Sequence, residues 1–352
     1  MKKIFWILVF AVLLLNVKQT RVWSCSDFLL NNSGDSVVSA RTMDFDIPLE
    51  ADVLAVPRGE TFQSALSESE KFMSWTSKYG FVGTNVAHLY AFTDGINEKG
   101  LSVATLWLGA TEYPDITNIP KEKIIQIGDV AHWILGNFAT VSEVKEGLKN
   151  VVVAGAPVKE INNMLLPLHL AIHDANKGSI VVEFVGGSMQ VYDNPYLVTT
   201  NDPPFPGQIE NLKNYQHMTN QPVKDPLVSQ DGYFCGMNGL PGDSIPAHRF
   251  VRIYTLNRFV RNSKTDREAI NNANHIMNRV TLVNDEAVGR STEYGIIRDH
   301  KNLIYYVVDD ENMNLRAVDL KKIDFSEKAP GQKMSIAADN WFVPADSELK
   351  PY

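Results

Sequence analysis

What most limits how this chain folds lies at its start, where Met1-Lys2-Lys3 leads into the apolar run Ile4 to Leu15 and then the polar stretch Asn16 to Arg21. A run of about 12 residues falls short of the roughly 20 needed to cross a bilayer, and it has the layout of a secretion signal. No second apolar stretch of that length follows. The folded part is therefore expected to begin after residue 24 as one domain, residues 25–352, exported to the periplasm or secreted, with no membrane span. Val22 and Ser24 are small enough to flank Trp23 in a cleavage site before Cys25. Removing residues 1–24 takes away Lys2, Lys3, Lys18 and Arg21 and no acid, so the formal charge moves from −8 to −12. So acidic a chain gives no reason to expect a nucleic-acid partner or an anionic membrane surface.

The chain has two cysteines, too few for a disulfide scaffold or a Cys-rich zinc module. In an exported protein a single Cys25–Cys235 disulfide is the ordinary expectation. Position argues for another use. A cysteine at a new N terminus carries a thiol and an α-amine on adjacent carbons, and an amine of pKa about 8 can serve as base for its own nucleophile. Cys235 is then the odd, structural thiol. A lipoprotein acylated at Cys25 is the alternative; Ser24 suits it, whereas Trp23 and the missing Ser/Gly tether after Cys25 do not.

After Cys25 the sequence reads as a hairpin: Ser26-Asp27-Phe28-Leu29-Leu30, the turn formers Asn31 to Asp35, then Ser36 to Met43. A turn centred near Ser33 predicts that Arg41 stands across from Cys25, with Asp44 just beyond. A guanidinium there favours the thiolate, and a carboxylate can orient the amine and hold its proton in transit. Taken alone, Arg-x-x-Asp is more often a surface ion pair.

These residues resemble the choloylglycine hydrolase family, N-terminal-nucleophile hydrolases that include conjugated bile salt hydrolases and penicillin V acylases. The resemblance rests on Cys25, on Arg41 and Asp44 in Ala-Arg-Thr-Met-Asp, on Asn201 in Thr-Thr-Asn-Asp-Pro-Pro-Phe, and on Arg249 after Gly239-Leu240-Pro241-Gly242-Asp243. The segment Asp94 to Leu101 resembles the family's turn before the pocket-lining strand. It implies an α+β fold, a four-layer αββα sandwich with two stacked antiparallel sheets. It implies Cys25 as nucleophile, Asn201 as an oxyanion donor, Arg249 as organiser of the polar network, and a homotetramer. Ten residues after Asn97, where the bile salt hydrolases usually carry asparagine and familiar penicillin V acylases tyrosine, this chain has Trp107, as in the family's Gram-negative branch. Trp107 is either substrate-contacting or ordinary strand core. The expected substrate is a small-molecule amide with a hydrophobic acyl group: a conjugated bile salt or penicillin V, with N-acyl homoserine lactones third. No metal or cofactor is expected.

Coarse patterning agrees with sheets and helices together. Thr140 to Glu143 and Thr265 to Glu268 are capping boxes opening helices toward Lys149 and Arg279. Strand pairs are expected at 168–172 with 180–184 and at 293–297 with 303–308, and a strand at 101–108. His169 and His173 lie in a strand without a third ligand spacing, which disfavours zinc. The spaced glycines Gly236, Gly239 and Gly242 lack a phosphate-loop Lys. The segments 62–75 and 106–113 are expected to shape the pocket, and the tail 327–352 to be loosely ordered.

Overall fold

The computed structural model describes residues 24–350 apart from 46–47, 68, 156, 159–163, 223–235, 287–290 and 349. Residues 1–23, within the expected leader, and Cys235 lie outside the described residues. Two antiparallel sheets carry the architecture. The first runs β10 (Val198–Thr200), β1 (Ser26–Leu29), β2 (Val38–Phe45), β11 (Ser291–Asp299), β12 (Ile304–Asp309), β13 (Asn312–Asp319). The second runs β9 (Ser188–Asp193), β8 (Ser179–Val185), β7 (Leu168–His173), β6 (Ser102–Trp107), β5 (Leu89–Asn97), β4 (Phe81–Val86), β3 (Asp52–Val56), β14 (Gln332–Ser335).

Strands buried on both faces must alternate between two cores, and they do. Met43, Tyr294, Ile296 and Val307 of the first sheet meet Val82, Ile96, Ala104 and Ala171 of the second, with Cys25 among them. Their neighbours point outward. Phe28, Ala40 and Ile297 pack on Phe250 and Ile253 of α4 (Pro246–Phe259) and on Ala273 and Met277 of α5 (Asp266–Met277). On the far side Phe81, Val103, Ile172 and Val182 pack on Val130 and Ile134 of α1 (Ile127–Asn137) and on Val144 and Leu148 of α2 (Val141–Leu148). A shorter helix, α3 (Phe205–Leu212), follows β10. The result is the four-layer αββα sandwich that the resemblance implies.

The expected strand pairs form: Leu170 faces Val182 across β7 and β8, and Ile296 faces Val307 across β11 and β12. Both caps form as well. The Thr140 and Thr265 hydroxyls accept the N–H groups of Glu143 and Glu268, while each glutamate reaches the N–H one residue before its cap, at Ala139 and Lys264.

Three expectations change. The first hairpin pairs Ser26 with Thr42 and Asp27 with Arg41, so Arg41 stands opposite Asp27 rather than Cys25. The turn centres on Gly34, whose φ of 65° takes the left-handed conformation open to glycine, where a Cβ would sit 2.3 Å from the Ser263 carbonyl oxygen. The segment 62–75 is largely a hairpin of its own whose Phe62 and Trp75 rings stack at 5.5 Å and meet buried His132 at 4.7 and 5.3 Å. Phe62 and Trp75 therefore join the helix-facing core, across the second sheet from Cys25, while Phe72 packs on Ile124 and Ala154. The tail contributes an ordered strand, because β3 leaves an open edge that Gln332–Ser335 fills in antiparallel register.

Candidate active site

Cys25 is a free thiol, 4% exposed, just before β1. Extending the hairpin register puts Met43 across from it, and its Sγ points at Met43 Sδ at 3.7 Å and at the Asp44 carbonyl at 3.8 Å. Arg41, fully buried, reaches the same place by its length: its Nη2 donates to Met43 Sδ at 3.5 Å and its Nη1 to the Thr93 carbonyl at 2.8 Å. The guanidinium and the sulfur thus share a neighbour despite the shifted register.

Arg249 is the fourth residue of α4, which Pro246 opens at a position where its missing N–H costs nothing. Its guanidinium reaches three segments. Nη1 donates to the Cys25 carbonyl at 2.9 Å and to the Ser26 hydroxyl, Nη2 donates to Asn201 Oδ1 at 2.8 Å, and Nε donates to the Ser244 carbonyl at 3.2 Å. Asn201 follows β10; its Nδ2 donates to the Trp107 carbonyl at 2.8 Å, and its own carbonyl accepts from Gln208 at 2.9 Å. The next residue, Asp202, accepts the N–H groups of Gly109 and Ala110 at 2.7 and 3.2 Å. Asn201 and Asp202 together clamp the loop that follows β6. Trp107 itself is half-buried at the end of that strand.

Asp44 is buried. Its Oδ1 accepts from the Thr292 hydroxyl at 2.6 Å, its Oδ2 from the Thr42 hydroxyl at 3.3 Å, and Arg249 Nη1 is 3.9 Å away. Burial outweighs these partners and pushes its carboxyl up to about 7. Burial also pushes the Cys25 thiol up, against the pull of the Arg41 guanidinium. The thiol is thus a poor thiolate source by itself. In the full-length chain the Cys25 nitrogen is a peptide nitrogen attached to buried Ser24; an α-amine exists only in a chain that begins at Cys25.

Between the sheets lies a network that single-residue patterns do not reveal. Arg298 on β11 donates twice to Asp27 Oδ2 at 3.0 Å, binds Asp94 through both carboxylate oxygens, and donates to Ser39 at 2.8 Å. His173 meets Asp27 at 2.6 Å, Tyr305 donates to Asp94 at 3.0 Å, and Arg41 stands 3.9 Å from Asp94. Burial raises the Asp27 carboxyl, but Arg298 and His173 overcome it and hold Asp27 well below the usual carboxylate range. His169 pairs with Glu183 at 3.3 Å, so both strand histidines have carboxylate partners. Among the described residues no cluster of three His, Cys, Asp or Glu side chains is arranged to hold a metal ion.

Thus five residues singled out from sequence, Cys25, Arg41, Asp44, Asn201 and Arg249, come together, with Trp107 tied in through its carbonyl. Thr42, Asp94 and Asp202 sit inside the quoted motifs without a role of their own, Arg298 lies in no motif, and Thr292 reaches Asp44 only through long-range pairing.

A family model described as linear amide C–N hydrolases, choloylglycine hydrolase family, matches residues 25–333. A bile salt hydrolase/transferase from Clostridium perfringens is 31% identical over 316 residues, covering 85% of this chain and 93% of the relative. A penicillin V acylase from Pectobacterium atrosepticum is 27% identical over 326 residues, covering 86% and 81%. The solved structure of penicillin V acylase from Agrobacterium tumefaciens superposes with a TM-score of 0.74 at 26% identity, covering 89% of this chain and 92% of that one.

Proposed function

From the premise that this chain belongs to the choloylglycine hydrolase family of linear amide C–N hydrolases, we propose that it is an exported amidase that cleaves hydrophobic acyl conjugates through Cys25 once residues 1–24 are removed. The observation that carries this is the reach of Arg249, which joins the Cys25 carbonyl at 2.9 Å to the Asn201 side chain at 2.8 Å. It fixes the nucleophile and a side-chain amide relative to one another before substrate arrives. The family match beginning at residue 25 supports cleavage there.

In the proposed mechanism the freed α-amine of Cys25 takes the thiol proton, and the sulfur attacks the amide carbonyl. The second Nδ2 hydrogen of Asn201 stabilises the resulting oxyanion; one such donor in a water-excluded site is worth about 3–4 kcal/mol. Collapse expels the amine, which takes the proton back from the Cys25 ammonium. Water then adds to the thioester, giving its proton to the same amine; the C–S bond breaks, the acid leaves, and the ammonium returns the proton to the sulfur. Asp44 holds and orients the ammonium while it carries the proton. Burial disfavours the thiolate, which makes the adjacent amine the determining element.

The acyl portion is proposed to be a steroid or aryloxy group, as in conjugated bile salts and penicillin V, because relatives named for both match most of the chain. Long-chain N-acyl homoserine lactones are the third candidate. Turnover of glycocholate, penicillin V and such a lactone by the secreted protein tests the reading, alongside Cys25→Ser and N-terminal sequencing. Turnover that Cys25→Ser abolishes, with a free amine on Cys25, supports it. An acylated Cys25, or a Cys25→Ser variant as active as the parent, overturns it.

A further inference from the structure

Strand β11 meets β2 with one residue too many. Thr292 stands opposite Asp44 and Tyr294 opposite Met43, so Glu293 is the extra residue of a β-bulge. In a regular strand residues 292 and 294 share a face. The bulge separates them: Thr292 takes the face of Asp44, and Tyr294 takes the face of Met43, where its hydroxyl meets Thr93 at 2.7 Å between the sheets. Bulges re-aim side chains in this way and concentrate beside active sites.

The Thr292 hydroxyl bridges two partners. Its oxygen accepts the Leu282 N–H at 2.8 Å, and its single proton goes to Asp44 Oδ1 at 2.6 Å. The charged and titratable groups around Asp44 come from each packed element: Arg249 from α4 at 3.9 Å, Arg41 on the same strand, and Cys25 before β1, whose Sγ lies 3.8 Å from the Asp44 carbonyl. Thr42 adds a longer hydroxyl contact at 3.3 Å. Neither arginine makes a close hydrogen bond to the carboxylate, and among the described residues Thr292 makes its shortest side-chain hydrogen bond.

We propose that Thr292 is a positioning residue of the amidase: the bulge aims its hydroxyl, the Leu282 N–H anchors the hydroxyl oxygen, and the donated proton holds the Asp44 carboxylate in place beside Cys25. The proposal rests on the roles given above to Cys25 and Asp44. Donation to the carboxylate favours its charged form, so loss of Thr292 impairs both orientation and ionisation of Asp44.

The test compares Thr292→Val and Thr292→Ser with the parent in the mature enzyme, on whichever of glycocholate and penicillin V the parent turns over. Thr292→Val is expected to lower kcat about tenfold or more with little change in KM, the scale of a lost hydrogen bond to a charged group. The acid limb of its kcat/KM profile should move up by about one pH unit. Thr292→Ser should restore both the rate and the limb. Thr292→Ala carries the same expectation as Thr292→Val and replaces it where that variant does not fold. A valine or alanine variant that keeps the parent's acid limb, whatever its rate, overturns the proposal, and so does a serine variant as impaired as valine. A Cys25→Ser enzyme that retains full activity would instead overturn the amidase reading itself, whatever the Thr292 variants do.

Discussion

Asp27→Asn keeps the shape of a residue buried between the sheets and removes only its charge. In the parent, Arg298 donates two N–H bonds at 3.0 Å to Asp27 Oδ2, and His173 meets Oδ1 at 2.6 Å. Two unit charges 3.0 Å apart attract by about 5–6 kcal/mol at an effective dielectric of about 20, and part of that offsets the cost of taking both ions out of water. The variant leaves Arg298 and Arg41 facing Asp94 alone. Breaking a buried pair on one side costs about 3–5 kcal/mol, which corresponds to a fall in Tm of roughly 6–20 °C. Urea unfolding at pH 7 measures it. Because the Asp27 carboxyl sits below its ordinary 3.8, the parent's advantage is fully present above about pH 4 and shrinks as the pH falls below that. The double variant Asp27→Leu/Arg298→Met leaves Asp94 with Arg41 as a balanced pair and should cost less than Asp27→Asn. An Asp27→Asn protein within about 0.5 kcal/mol of the parent, or a double variant less stable than the single, refutes the charge-balance argument.

The Asp44 carboxyl is raised from 3.8 to about 7, so in protein that retains Ser24 the folded state holds a proton that the unfolded chain gives up. Asp44→Asn should therefore gain on the parent by roughly 3–4 kcal/mol as the pH rises from about 4 to about 7, seen in urea midpoints across that range; a constant difference contradicts it. Asn201→Ala should reduce kcat by about 10²–10³ with the fold retained by circular dichroism, as removal of one oxyanion donor does elsewhere; near-parental kcat removes Asn201 from the mechanism. Gly100 has a φ of 80°, and a Cβ there would lie 2.3 Å from the His300 carbonyl oxygen. Gly100→Ala should thus lower stability by about 1–3 kcal/mol or more in thermal unfolding, and an unchanged Tm contradicts the contact.

Local signals carried far in this sequence. The turn at Asp174 to Gly178 sets β7 against β8 because its partners are adjacent along the chain: the Asp174 carboxylate accepts the N–H groups of Asn176 and Gly178 at 2.8 and 2.9 Å. Capping threonines are equally local. Register was harder, since Gly34 moves the first hairpin by one residue along each strand and nothing in the strands themselves says so. The bulge at Glu293 is harder still, because it exists only where β11 meets a strand some 250 residues earlier. Asp27, Asp94 and Arg298 look like solvated charges one at a time; only the stacking of two sheets makes them partners. The candidate site was legible where motifs spell it, and its supports were not.

The clamp that Asn201 and Asp202 place on residues 107–110 has a bearing on how such a chain diversifies. A loop that touches the acyl group is normally free to vary, since its changes alter fit and leave the chemistry alone. Here the loop 107–110, proposed to border the acyl group, is fastened by three hydrogen bonds to the residue proposed to stabilise the oxyanion and to its neighbour. A lengthened or rebuilt loop pulls on that residue as well, so a new substrate preference and a loss of rate are inherited together. Side-chain exchanges that leave the backbone of 107–110 in place are the route by which selectivity changes without that penalty.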